Sequence, residues 1–82
     1  MNTNMLYELY RITEKNDAPD LATVGMAMLR NEHPEITHDE DMAMRHFIGL
    51  HGKELAEAYP DRAAFELAVE AGIRADREAE EQ

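Results

Sequence analysis

The sequence lacks the residues on which most covalent and metal chemistry depends. It contains no cysteine and no serine among its 82 residues. Without cysteine the chain can form neither a disulfide framework nor a thiolate site for zinc or redox chemistry. It also lacks the usual nucleophiles of covalent catalysis, and no threonine lies in a recognisable nucleophile motif beside a histidine. We therefore expect a non-enzymatic protein without a cofactor, whose fold rests on packing alone.

Basic side chains are scarce as well. The chain carries 18 acidic and 8 basic residues, which gives a formal net charge of -10 at pH 7. Proteins that bind a phosphate backbone or an anionic membrane need a surplus of lysine and arginine. The charge therefore argues against direct binding of nucleic acid or membrane and favours a protein partner with a basic surface. Net charge also keeps small domains soluble, so acidity without a role in binding is the alternative.

Long apolar runs are missing too. No segment approaches the roughly 18 apolar residues of a membrane-spanning helix, and the first residues lack the basic and apolar regions of a signal peptide. Together with the absence of cysteine, this predicts a soluble protein in the reducing cytoplasm. A chain of this length is expected to form one acidic helical domain over residues 1–82, with a small core that association between copies would help to stabilise.

The first half of the chain shows helical periodicity in two segments, without strand-like alternation. The first helix is expected over Met5–Lys15, with Asn4 as its cap. The second is capped by Asp17 or by Asp20 and must end before Pro34, because a proline pushes the preceding residue out of the helical region. Its apolar face is expected to comprise Leu21, Val24, Gly25, Met28 and Leu29.

The third helix has the clearest start in the sequence. Thr37 and Glu40 have the spacing of a capping box, in which each side chain bonds to the backbone of the other residue. Gly52 either ends this helix or lies inside a longer one. We expect an i,i+4 ion pair between Asp41 and Arg45. The apolar face is predicted to comprise Ala43, Met44, Phe47, Ile48, Leu50, His51 and Leu55.

The last helix carries the most regular apolar stripe, and we expect it to be the central member of the fold. Asp61 can cap it after Pro60. Residues 74–82 are wholly polar and predict a helical extension that frays at its end. The stripe repeats at i, i+3, i+4, i+7 and i+8, and consists of Phe65, Ala68, Val69, Gly72 and Ile73.

The histidines do not form a metal-binding pattern. His46 and His51 are five residues apart, which places them about 140° apart around a helix. The stretch from Asp39 to Asp41 lacks the glycine and the downstream glutamate of a calcium loop. No metal site is therefore expected among the four histidines and the acids near them, which are His33, His38, His46, His51, Glu35, Asp39 and Asp41.

Four methionines occur in two pairs with a spacing of two residues, Met26 with Met28 and Met42 with Met44. On a helix this spacing turns one side chain toward the core and the other toward the surface. The predicted faces place Met28 and Met44 inside. Methionine commonly fills irregular gaps in a core, while exposed methionines and tyrosines also suit a flexible binding surface.

The fold predicted from these patterns is all-α, a compact antiparallel bundle of three to four helices with a polar C-terminal helical extension. The function we expect is that of a regulator that docks an acidic face on a basic protein surface. An inhibitor of the kind that phages and plasmids encode, acting by nucleic-acid mimicry, would fit. The alternative is a self-associating scaffold, in which exposed Met and Tyr side chains close a homodimer. The residues expected to contact the basic partner are Asp39, Glu40, Asp41, Glu54 and Glu57.

Replacement of Phe65 tests the predicted core. Phe65→Ala should lower the free energy of unfolding by about 3 kcal/mol or more, because it removes a large side chain from the most regular apolar stripe. The measurement is urea denaturation followed by circular dichroism. A stability within error of the wild type would show that this stripe does not face the core.

Overall fold

The computed structural model describes residues 2–81, and within this range it contains helices and connections but no strand. The radius of gyration is 12.4 Å, close to the roughly 12 Å of a compact chain of this length. The predicted all-α bundle is therefore confirmed. Its helices are α1 (Thr3–Lys15), α2 (Met26–Glu32), α3 (His38–Ala58) and α4 (Arg62–Glu81), and a π-helical turn, Leu21–Gly25, leads directly into α2.

Helix α1 begins two residues earlier than expected. Asn2 is the cap, because its backbone is extended and its Oδ1 accepts a hydrogen bond from the Met5 N–H at 3.2 Å. The Asn4 side chain instead accepts a hydrogen bond from Arg62, at the start of α4. At the other end Asp17 adopts a positive φ of 50°, a left-handed conformation that commonly ends helices.

The second helical segment begins at Asp20, which settles the choice between two predicted caps. Its Oδ1 accepts hydrogen bonds from the backbone of Thr23 at 2.6 Å and Val24 at 3.1 Å. A π turn includes one residue more than an α turn, so the residues that follow it are displaced around the helix. Met26 is consequently fully buried, and Met28, which was predicted to lie inside, is only half-buried.

Helix α3 confirms the predicted capping box. Thr37 Oγ1 accepts from the Glu40 N–H and Glu40 Oε1 accepts from the Thr37 N–H, both at 3.1 Å. The helix then runs through Gly52 without interruption, so the longer of the two predicted helices is correct. The prediction was wrong for Ala43 and Leu50, which are exposed because they lie at the edge of the apolar face or beyond it.

The tyrosines pack around the core instead of lying on the surface. Tyr7 and Tyr10 of α1, together with Tyr59, surround Phe65, which is fully buried. The Tyr10 hydroxyl donates a hydrogen bond to the Gly52 carbonyl at 3.3 Å, and burial raises the pKa of Tyr10 to about 12. Through these contacts α1 meets both α3 and α4, and it also packs against α2. The central position expected for the last helix therefore belongs to α1.

Helix α4 begins and packs as predicted. Asp61 Oδ1 accepts hydrogen bonds from Ala63 at 2.9 Å and Ala64 at 3.3 Å. Phe65, Val69 and Gly72 are buried. The polar extension is helical as far as Glu81.

The first turn of the polar extension is tied to α3. His51 Nε2 lies 2.9 Å from Asp76 Oδ1.

None of the helices in residues 2–81 combines the length and the apolar character needed to cross a membrane.

Helices α3 and α4 approach closely at Gly72. A Cβ atom added there would lie 2.7 Å from Phe47 Cζ and 3.0 Å from His51 Cδ2. Gly49, on the opposite side of α3, would have no neighbouring atom within 4 Å of an added Cβ. Packing between α3 and α4 thus requires a glycine at position 72, whereas packing within the chain does not require one at position 49.

This contrast gives a matched pair of substitutions. Gly72→Ala should lower the free energy of unfolding by about 1–3 kcal/mol through overpacking, although alanine favours helix. Gly49→Ala should raise it by about 0.5–1 kcal/mol, because the position is open and alanine forms helix better. Urea denaturation at low protein concentration measures both. Equal effects of the same sign would contradict the close contact at Gly72.

Candidate interaction surface

The structure does not bring the five predicted partner-binding acids together. Asp39, Glu40 and Asp41 lie in the first turn of α3, whereas Glu54 and Glu57 lie in its last turns. Glu57 lies 18 positions after Asp39, a distance of about 27 Å along the helix axis. The acids therefore form two separate groups, and each must be assessed in its own surroundings.

Asp41 does not lie on the surface, which corrects its assignment as a partner-binding residue. It is only 4% exposed, because it lies on the side of α3 that faces α2. Its Oδ2 accepts from Arg30 Nη1 at 2.8 Å and its Oδ1 accepts from Arg45 Nε at 2.6 Å, so the predicted pair with Arg45 is confirmed. These charged hydrogen bonds, first of all that from Arg45, hold the pKa of Asp41 below its usual value although burial raises it.

Asp39 and Glu40 are exposed and lie beside a groove of about 290 Å³ between the beginning of α1 and the beginning of α3. Hydrogen bonds from the backbone and side chain of Thr37 lower the pKa of Glu40 and so favour its charged carboxylate. The groove combines this acidic rim with mostly apolar walls. Its lining residues are Asn2, Met5, Ile36, Asp39, Glu40, Ala43 and Met44.

The apolar part of the groove is formed by residues distant in sequence. Ile36 and Met44 belong to the buried core, and Met5 packs against that core from α1. The acids of this site were predictable from the sequence, but the groove was not, because Met5 and Ile36 meet α3 only through the tertiary fold. The capping box and the ion pairs of Asp41 hold the first turn of α3 in place beside it.

Glu54 and Glu57 are exposed near the other end of α3. The grooves described for residues 2–81 include neither of them. Their predicted contact with a basic partner remains a prediction that rests on charge alone.

A different cluster offers the donor atoms of a possible cation site. Ligand atoms of Glu8, Glu32 and His33 lie within 4.8 Å of one another. However, both Glu8 oxygens accept hydrogen bonds from Arg11 at 3.0 Å, and His33 Nδ1 lies 3.2 Å from Glu35 Oε1. Sequence spacing could not reveal this cluster, because α1 and the end of α2 meet only in the fold. Arg11 already supplies a positive charge here, and we assign no metal to the cluster.

Comparison with known proteins leaves these features to be interpreted from their own chemistry. No model of a protein family, no curated protein and no solved structure matches the chain.

The buried carboxylate of Asp41 should make the free energy of unfolding depend on pH. Asp41→Asn should lower the free energy of unfolding by about 2 kcal/mol at pH 7, because it weakens charged hydrogen bonds to two arginines. A carboxylate with a lowered pKa stabilises the fold above its unfolded-state value and loses that effect as pH falls through its folded-state value. The difference from wild type should therefore shrink below the ordinary aspartate pKa of 3.8.

Urea denaturation across acidic and neutral pH measures this difference. Asp39→Asn is the matched control, since the exposed Asp39 loses only its interaction with the helix dipole, about 0.3–1 kcal/mol. Equal destabilisation by the two substitutions at pH 7 would contradict the internal role of Asp41.

Proposed function

We propose that this protein is a non-enzymatic binding module that holds a basic segment of a partner protein in the groove between α1 and α3. The observation that carries the proposal is the combination of an apolar floor and an acidic rim in one groove. The volume of about 290 Å³ lies near the lower limit of pockets that bind ligands specifically, about 300 Å³. A short peptide segment is the kind of ligand that such a groove suits.

The chemistry of the groove matches the long basic side chains. Lysine and arginine have an apolar stem and a cationic head, and they bind best where the two parts meet different surroundings. Met5, which is only partly buried, offers flexible apolar surface to the stem, and the buried Met44 lies beneath it in the lining of the groove. Asp39 and Glu40 offer negative charge to the head. The acidity of the whole chain would speed the encounter with such a segment.

The distribution of acids favours a local contact over mimicry of a nucleic acid along α3. Between the acids at its beginning and those near its end, the exposed side of the helix bears Met42, His46, Leu50 and Lys53. This stretch has no row of negative charges comparable to a phosphate backbone, which carries one charge about every 1.7 Å of duplex. We therefore propose regulation through a basic peptide segment in the cytoplasm as the function that the groove supports best.

An NMR titration tests the groove with defined probes. A short peptide of alternating lysine and leucine should shift the amide signals of Asn2, Met5, Ile36 and Ala43, and a matched peptide of glutamate and leucine should not. Asp39→Asn should weaken the affinity about threefold at low salt, the effect of losing one exposed ion pair. Added salt should weaken the wild-type complex in the same direction.

Glu57→Gln is the matched control, because it removes the same charge from the same helix about 27 Å away. It should leave the affinity almost unchanged. If both substitutions weakened binding equally, or if the shifts spread over the whole surface, the peptide would be responding to net charge and not to the groove.

A further inference from the structure

The outward side of α3 has features that the fold of one chain does not explain. Met42 and Leu50 are 52% and 54% exposed, and Gly49 beside them has open space around an added Cβ. A glycine inside an exposed helix is about 0.5–1 kcal/mol less favourable than alanine. In a monomer this side of α3 would therefore combine exposed apolar surface with an unfavourable helix residue, and neither serves the core.

The same side has a symmetric pattern centred on His46. The residues three positions before and after it are both small, Ala43 and Gly49. Those four positions away are both large and apolar, Met42 and Leu50. Offsets of three and four keep residues on one face of a helix, and all of these residues are exposed.

The pattern continues in the charges. Seven positions before His46 lies Asp39, and seven positions after it lies Lys53, so the two ends of the face carry opposite signs. Both side chains are exposed. We call the face formed by His46 and the residues three, four and seven positions on either side of it the His46 face.

We propose that the His46 face binds the same face of a second copy, with the two α3 helices antiparallel and a two-fold axis at His46. In this arrangement, positions equally far from His46 in opposite directions face each other. Met42 packs on Leu50 of the second copy, and Asp39 lies beside Lys53 of the second copy. Ala43 opposite Gly49 lets the helices approach closely, which gives the exposed glycine a role.

Charge favours a second copy over a basic partner at this position. Asp39 and Lys53 cancel, so these two ends give the His46 face no net charge of its own, although the chain as a whole carries -10. Between Asp39 and Lys53 a basic partner would find little net counter-charge, whereas two acidic chains meet most favourably where acids are few or paired. Positions equally far before and after His46 complement each other, so the face is complementary to a second copy of itself. A two-fold interface requires this self-complementarity.

The size of the His46 face determines how strongly we expect two copies to bind each other. From Asp39 to Lys53 it is about 21 Å long, the length of one short helix pair. Such a contact buries less than the roughly 800 Å² per partner of a standard stable complex. We therefore expect a reversible dimer that forms at micromolar to millimolar protein. This inference does not depend on peptide binding in the groove, although Asp39 and Ala43 border both surfaces.

A charge exchange tests the antiparallel register. Sedimentation equilibrium of Asp39→Lys and of Lys53→Asp should each show self-association weakened about tenfold, because each substitution turns two attractive contacts per dimer into repulsive ones. The double variant, which has the net charge of the wild type, should return to within about twofold of wild-type affinity. No peptide is present in this assay, so its result is independent of the groove.

Asp39→Lys is the most informative single variant. It makes the chain less acidic, so general charge repulsion alone would strengthen association, opposite to the expected result. Glu70→Lys, with the same charge change at an exposed position of α4, is the control and should not weaken the dimer. Circular dichroism checks that the variants keep their helices, and Lys53→Asp carries the test if Asp39→Lys disturbs the beginning of α3.

The absence of cysteine allows a second, independent measurement. His46→Cys should form a disulfide-linked dimer under mild oxidation far faster than Ala71→Cys at an exposed position of α4, because only the residue on the axis meets itself. A wild type that stays monomeric at millimolar concentration, a double variant that does not recover, or equal rates of cross-linking would each overturn the proposal.

Discussion

The packing of Phe65 among three tyrosine rings is the interaction on which the rest of this small fold depends. Ring centroids of Tyr7 and Tyr10 lie 5.3 and 5.5 Å from that of Phe65, and the centroid of Tyr59 lies 6.4 Å away. All three pairs meet edge to face or nearly so, the arrangement that the charge distribution of aromatic rings favours. The chain has no disulfide, and this cluster packs α1 against α4, while the Tyr10 hydroxyl joins α1 to α3 through the Gly52 carbonyl.

The position of α1 in turn creates the groove on which the proposed function rests. Met5 reaches the groove from the first turns of α1, while Asp39 and Glu40 reach it from the first turn of α3. The ion pairs of Asp41 work from inside, holding that turn against Arg30 of α2. Within this short acidic stretch, Asp41 stabilises the fold, while Asp39 and Glu40 face the solvent.

Local signals in the sequence predicted the beginnings of α3 and α4 well. The capping box at Thr37 and the cap at Asp61 depend on residues within one turn, so spacing alone reveals them. The stripe of α4 was also predictable, because its apolar residues repeat with little interruption. The burial of Asp41 was not predictable from its polarity, since it depends on Arg30, which reaches it from another helix.

Other features also depend on structure that the apolar spacing does not reveal. The π turn before α2 includes one extra residue, so that Met26 is buried more deeply than Met28. The spacing of the apolar residues does not indicate this extra residue. The burial of Tyr10 depends on a hydrogen-bond partner for its hydroxyl, and that partner, the Gly52 carbonyl, belongs to a distant helix. The groove was missed for the same reason, since Met5 and Ile36 come together only in the folded chain.

The close packing of Gly25 has a consequence for how this sequence can change over time. A Cβ atom at this position would overlap with the Thr13 hydroxyl and lie 3.2 Å from Leu9 Cδ1. The Thr13 hydroxyl is itself held by the Leu9 carbonyl at 2.7 Å. A larger residue at position 25 therefore requires the Thr13 side chain to move or to become smaller, and its Cβ would also lie 3.3 Å from the Asp20 carbonyl oxygen. A substitution at position 25 is thus coupled to position 13, and a smaller residue at 13 should make it easier to accommodate.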